Sequence, residues 1–164
     1  MTRRAAVHMT WLVGAVGAAM AVACSNSTTP HQPTPCPSYS GGLSQGDSLY
    51  GLYHLVSYCL DTLPAFTPPA ESGHVTLIHA TSVDSFVAVL VPQGQAPESI
   101  LGTYTHPGLD SIHVTGEVRA PGLPFAPPVD LPGRFLLRHD SLFVTGRLAV
   151  TGTSPHTVSF IGAR

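Results

Sequence analysis

The chain's chemically capable residues are its nine histidines, set among only nine acidic side chains in 164 residues. Imidazole ligates metals and moves protons near neutral pH. Eight of the histidines lie beyond residue 24: His31, His54, His74, His79, His106, His113, His139 and His156. None forms the His-x-His or His-x-x-x-His spacing that puts two imidazoles on one face of a strand or helix. His74 and His79 are five apart and fall on opposite faces of an extended strand, and His106, His139 and His156 fall beside expected turns. We read all of them as structural or solvated, with no metal ligand and no cofactor named. Nucleophilic chemistry has no firmer footing. The chain carries no Gly-x-Ser-x-Gly elbow, no phosphate-cradling glycine loop and no Cys-x-x-Cys pair. Asp84-Ser85, Asp110-Ser111 and Asp140-Ser141 read as turns, because both side chains bond nearby backbone groups. No two carboxylates are marked out for acid–base work. The chain is therefore read as non-enzymatic; a hydrolase or metal enzyme assembled from loop histidines is the remaining catalytic alternative.

Three cysteines, Cys24, Cys36 and Cys59, are an odd number, and the first has a distinctive neighbourhood. Arg3 and Arg4 precede an uncharged apolar run from Trp11 to Ala23. That run is shorter than the roughly 20 residues a bilayer-spanning helix needs, so residues 1–23 read as an export signal. It ends in Ala21-Val22-Ala23-Cys24, which resembles the bacterial lipobox. The resemblance implies a diacylglycerol on Cys24 and cleavage just before it. Ser25 in place of an aspartate implies sorting to the outer membrane of a bacterial envelope. The plainer alternative is an ordinary secretory signal cut at Ala23. With Cys24 lipidated, Cys36 and Cys59 are left in an oxidising compartment. We expect them to pair, closing a loop of about two dozen residues with a stabilisation of roughly 3 kcal/mol; two free thiols are the alternative.

Composition narrows the partners. Net charge is −2, all seven basic residues are arginines, and charged residues are 10% of the chain, so no basic stripe exists for a nucleic acid. Residues 24–46 follow the signal as a lipidated cysteine and a Ser-, Thr- and Pro-rich linker, extended by Pro30, Pro33, Pro35 and Pro37. From residue 47 to 164 the hydrophobic period is two. We expect strands at 50–59, 73–80, 83–92, 100–105, 110–119, 133–139, 141–148 and 156–162. Ile112, Val114, Gly116 and Val118 share one face against His113, Thr115, Glu117 and Arg119. Leu142, Val144, Gly146 and Leu148 alternate with Phe143, Thr145 and Arg147, and Phe135 and Leu137 with Arg134 and Arg138. Asp110–Gly116 (DSIHVTG) is echoed by Asp140–Gly146 (DSLFVTG), each preceded by Gly-x-aromatic, so one hairpin unit occurs twice. Repeated hairpins make a meander, and eight strands can close and remove their edges. The expected fold is all-β: a small eight-stranded antiparallel meander barrel, with a two-sheet β-sandwich as the alternative.

Gly51-Leu52-Tyr53-His54-Leu55-Val56-Ser57-Tyr58, then Leu63-Pro64-Ala65, then hairpins bearing Gly102-Thr103-Tyr104 and Asp110-Ser111-Ile112, resemble the bacterial lipocalin-like lipoproteins over residues 47–164. That family's first strand commonly carries Gly-x-Trp, and Tyr53 stands at the tryptophan position. The resemblance implies a small barrel and supplies no common catalytic residues.

The expected inward residues are aliphatic, which suits a packed core, the plainer expectation, or an apolar pocket. Two proline-rich stretches, 60–72 and 120–132, carry the apolar residues Leu63, Phe66, Leu123 and Phe125. They read as a plug over one barrel end or, alternatively, as the rim of a ligand site. The leading function is a membrane-anchored envelope lipoprotein whose barrel binds a small apolar molecule or lipid. The alternative is a structural lipoprotein with a solid barrel that binds another envelope protein.

Overall fold

A computed structural model describes residues 33–44, 46–122 and 126–164. The signal segment, Cys24, Leu123 and Phe125 lie outside these residues. The described chain forms nine strands: β1 (Gly51–Leu60), β2 (Thr62–Phe66), β3 (Glu71–Ile78), β4 (Ser85–Pro92), β5 (Glu98–Thr105), β6 (Ser111–Arg119), β7 (Pro128–Arg138), β8 (Ser141–Val150) and β9 (His156–Ala163). All neighbours are antiparallel. The order β1-β3-β4-β5-β6-β7-β8-β9 closes through pairing of β9 with β1. The result is the closed eight-stranded meander barrel rather than the sandwich.

The alternation read from sequence fixes the faces. Ile112, Val114, Phe135, Leu137 and Leu142 are buried inside, while His113, Thr115, Glu117, Arg134 and Arg138 are exposed outside. The duplicated hairpins are β5–β6 and β7–β8. Each carries a glycine pair facing across the ladder, Gly102 with Gly116 and Gly133 with Gly146. A Cβ on Gly102 would stand 2.0 Å from the Thr115 carbonyl oxygen, so the close approach of these strands requires glycine.

Two departures from the sequence reading come from prolines. Residues 62–66 were expected within a loop but form β2, and residues 128–132 form the first half of β7. Pro64 is tolerated because β2 is an edge strand, paired to β1 alone among the strands. A third departure concerns the linker. Residues 34–44 are not a free tether. Leu63 N–H donates to Thr34 O (2.8 Å), Tyr39 N–H to Thr145 Oγ1 (2.9 Å) and Gly42 N–H to Phe135 O (2.9 Å). Leu137 N–H returns a bond to Gly42 O at 2.9 Å. The segment thus straps the outside of the barrel from β2 across β8 to the free edge of β7.

The strap is held by a disulfide between Cys36 and Cys59, with Cα atoms 5.7 Å apart. Its position depends on a bulge. The β1–β9 register slips between Leu55 and Ser57. Before the slip Tyr53 and Leu55 face inward; after it Tyr58 faces inward and Cys59 outward, under the strap. Without the extra residue Cys59 would point into the lumen and could not meet Cys36.

One end of the barrel is filled. Leu49, Tyr53, Leu77, Phe86, Tyr104, Ile112, Phe135, Leu137 and Leu142 pack there as one cluster. Tyr53 is fully buried, and its hydroxyl donates to Leu49 O at 2.9 Å. The Arg164 guanidinium lies 4.9 Å from the centre of its ring and donates to Tyr53 Oη (2.7 Å), Tyr50 O (2.6 Å) and Ser48 O. The C-terminal residue therefore seals this end.

Candidate functional site

The other half of the barrel is hollow. A cavity of about 430 Å³ lies among the strand ends at Pro92 and Glu98, Arg119 and Pro128, and Val150 and His156. Its wall is mostly aliphatic: Val75, Ala88 and Leu90 from β3 and β4, Ile100 and Val118 from β5 and β6, Val129 and Leu131 from β7, and Val144, Leu148 and Val150 from β8. Val158 and Phe160 of β9 complete it. These are the inward positions of the alternating pattern. The wall there is mostly Val, Ala, Leu and Ile, with Tyr58 and Phe160 its aromatics, whereas the filled end packs Tyr53, Tyr104, Phe86 and Phe135 together. The expectation of a wholly packed interior is corrected accordingly: half is core and half is pocket.

Among the described residues, His74 of β3 is part of the wall and the other polar side chains gather at the mouth. Tyr58, Glu98, Thr153 and His156 line the cavity there. Burial, reinforced by the negative charges of Glu71 and Asp61, pushes the Tyr58 hydroxyl up to about 12, so it remains a neutral donor. His156 Nδ1 and Asp61 Oδ2 are bonded at 2.8 Å, and Thr157 N–H donates to Asp61 Oδ1 at 2.8 Å. These bonds, that from His156 first, hold the Asp61 carboxyl below its usual range. Asp61 sits in the tight β1–β2 turn at φ 60°, a conformation aspartate tolerates better than most residues. Its side chain pins that turn to the start of β9, on the cavity's edge. Glu71 is displaced the other way. Burial raises it, and the neighbouring charge of Glu98 raises it further.

No protein-family model, curated protein or solved structure matches this chain. The geometry alone therefore assigns the site. Of the four apolar residues expected at a rim or plug, Leu63 is exposed on β2 and does not line the cavity. Phe66, also on β2, stacks on Tyr58 with ring centres 6.3 Å apart, one residue removed from the wall. Leu123 and Phe125 belong to residues 123–125, outside the described chain; Pro127, just beyond them, is part of the wall. The sequence reading missed Tyr58, Glu71 and Glu98. Tyr58 was hidden by the bulge. Glu98 continues the inward series Ile100, Gly102, Tyr104 two residues before the expected start of that strand, and Glu71 stands just before the expected start of β3.

The other histidine–aspartate pairs stand apart from the cavity. His113 Nε2 meets Asp130 Oδ1 at 2.6 Å on the outer surface, and His79 Nδ1 meets Asp84 Oδ1 at 2.7 Å in the β3–β4 loop at the filled end. Among the described residues no three His, Cys, Asp or Glu side chains converge as a metal-holding group.

Proposed function

We propose that this chain is an exported envelope lipoprotein whose barrel binds a small apolar molecule. The observation that carries the reading is the aliphatic cavity of about 430 Å³, open at one barrel end. Ligand pockets are concave, largely apolar and provided with few polar groups. A cavity of roughly 150 Å³ already takes up benzene, so this one has room for a considerably larger hydrocarbon body. The anchor part rests on the lipobox-like Ala21-Val22-Ala23-Cys24. A diacylglycerol there would tether the barrel to an outer-membrane surface. The anchor would keep the protein where apolar molecules partition, and the cavity would shield one of them from water.

The test of the cavity is the binding of a neutral apolar fluorophore such as N-phenyl-1-naphthylamine. One equivalent should bind per chain, and Ala88→Phe, which puts a ring into the lumen, should weaken it at least about tenfold by filling the site. Undiminished binding to the Ala88→Phe protein would place the probe elsewhere and contradict the proposal. For the anchor, Cys24→Ala should move the protein from the membrane fraction to the soluble envelope fraction. Retention in the membrane would rule out lipid attachment at that residue as the anchor.

A further inference from the structure

Glu71 and Glu98 set the chemistry of the mouth. Glu71 pairs with Pro92 and Glu98 with Leu90, so the two flank the open end of β4. By register Glu71 shares the inward face of Val75 and Leu77, and Glu98 that of Ile100. Glu98 lines the cavity itself, and Glu71 lies close enough to Glu98 and to Tyr58 to perturb both pairs electrostatically. Two carboxylates thus face the entrance of an otherwise aliphatic lumen.

Among the described residues no arginine stands beside them, and none lines the cavity. Arg134, Arg138 and Arg147 are exposed on the outer surface, Arg119 points outward beside Glu117, and Arg164 closes the opposite end. His156 already bonds Asp61. His74 contributes to the wall, but its register partners are His54 and Val89, on the outer face. An anionic head such as a fatty carboxylate would enter against like charges. An ammonium would find two carboxylates and, beside them, the stacked rings of Tyr58 and Phe66, whose faces attract cations.

We propose that the ligand is an apolar amine, its ammonium head held between Glu71 and Glu98 and its hydrocarbon body in the lumen. The inference rests on the cavity being the binding site. Burial and mutual repulsion raise Glu71 in the empty barrel, and a bound cation relieves the repulsion.

The test is calorimetric titration of the exported Cys24→Ala chain at pH 7 with dodecylamine, dodecanol and dodecanoate, all below their aggregation concentrations. The three share a tail and differ in head charge. Dodecylamine should bind about tenfold or more tighter than dodecanol, with dodecanoate weakest. In the Glu71→Gln/Glu98→Gln protein the amine-to-alcohol affinity ratio should fall toward one. Equal affinities for the three, or preference for dodecanoate, would overturn the amine assignment and leave the apolar cavity standing. Binding of none of the three would overturn the cavity reading together with it.

Discussion

Glu71 is a carboxylate kept where its charge is penalised. Its pKa is raised in the folded chain, by burial first and by Glu98 second. The native state then holds a proton that the unfolded state has released, so stability falls as pH rises through this window. The penalty is complete above the folded-state value and absent well below the ordinary glutamate value of about 4.3, where both states are protonated. Glu71→Gln should therefore give a small rise in melting temperature at pH 7 that disappears in acid. A melting temperature unchanged or lowered at pH 7 would contradict this placement. Asp61 has the opposite sign. Its lowered pKa makes its bonds to His156 and Thr157 stabilising at neutral pH and lost as pH falls through the folded value. Neither role is legible from residue type. A glutamate near a strand end usually points to water, and only the register shows that Glu71 and Glu98 point inward. Tyr104 is fully buried, yet among the described residues its hydroxyl has no hydrogen-bond partner, which no sequence pattern indicates.

At the scale of the strands, the period-two pattern decides which face of each hairpin is core. Val114 and His113 are neighbours on β6 with opposite fates: Val114 is 8% exposed and His113 bonds Asp130 at the surface. Val114→Asp buries an unpaired charge and should cost about 3 kcal/mol or more, enough to unfold a marginal domain. His113→Asp exchanges an exposed hydrogen-bonded pair for two like charges and should cost no more than about 1 kcal/mol. Chemical denaturation of both variants measures the two losses, and the reverse ranking would mean the faces are inverted. The strands that sequence made plain, β6, β7 after Pro132, and β8, are those with polar outer faces. Strand β4 reads as an almost continuous apolar run, Phe86-Val87-Ala88-Val89-Leu90-Val91, so its faces are set by neighbours rather than by its own alternation. Strand β2 and the start of β7 were masked by prolines: Pro64 lies on an edge strand, Pro128 opens β7, and Pro132 falls where the β7–β8 pairing is interrupted between Asp130 and Gly133. The disulfide was legible from cysteine arithmetic. The β1 bulge that makes it geometrically accessible was not, because one inserted residue leaves no compositional trace.

The whole molecule divides its interior by side-chain size. Tyr53, Tyr104, Phe86 and Phe135 pack together at the end sealed by Arg164; the mostly aliphatic wall of the other end, with Tyr58 and Phe160, leaves it hollow. Closure was predictable from eight strands in meander order. The volume left inside depends on how residues on opposite walls meet, and one strand's sequence does not report that. The strap of residues 34–44 and the Cys36–Cys59 bond stiffen the wall on one side of the hollow end. The cavity is thus a property of the scaffold, consistent with a site that holds a molecule without reacting with it. The central claim is that this hollow is occupied in the cell. Native mass spectrometry of the full chain, purified gently from its host, tests it most directly. One equivalent of a bound mass in the lipid or small-metabolite range, released on unfolding, is the predicted result. A lipoprotein that carries only its own polypeptide and anchor, and takes up no apolar molecule when one is supplied, would contradict it.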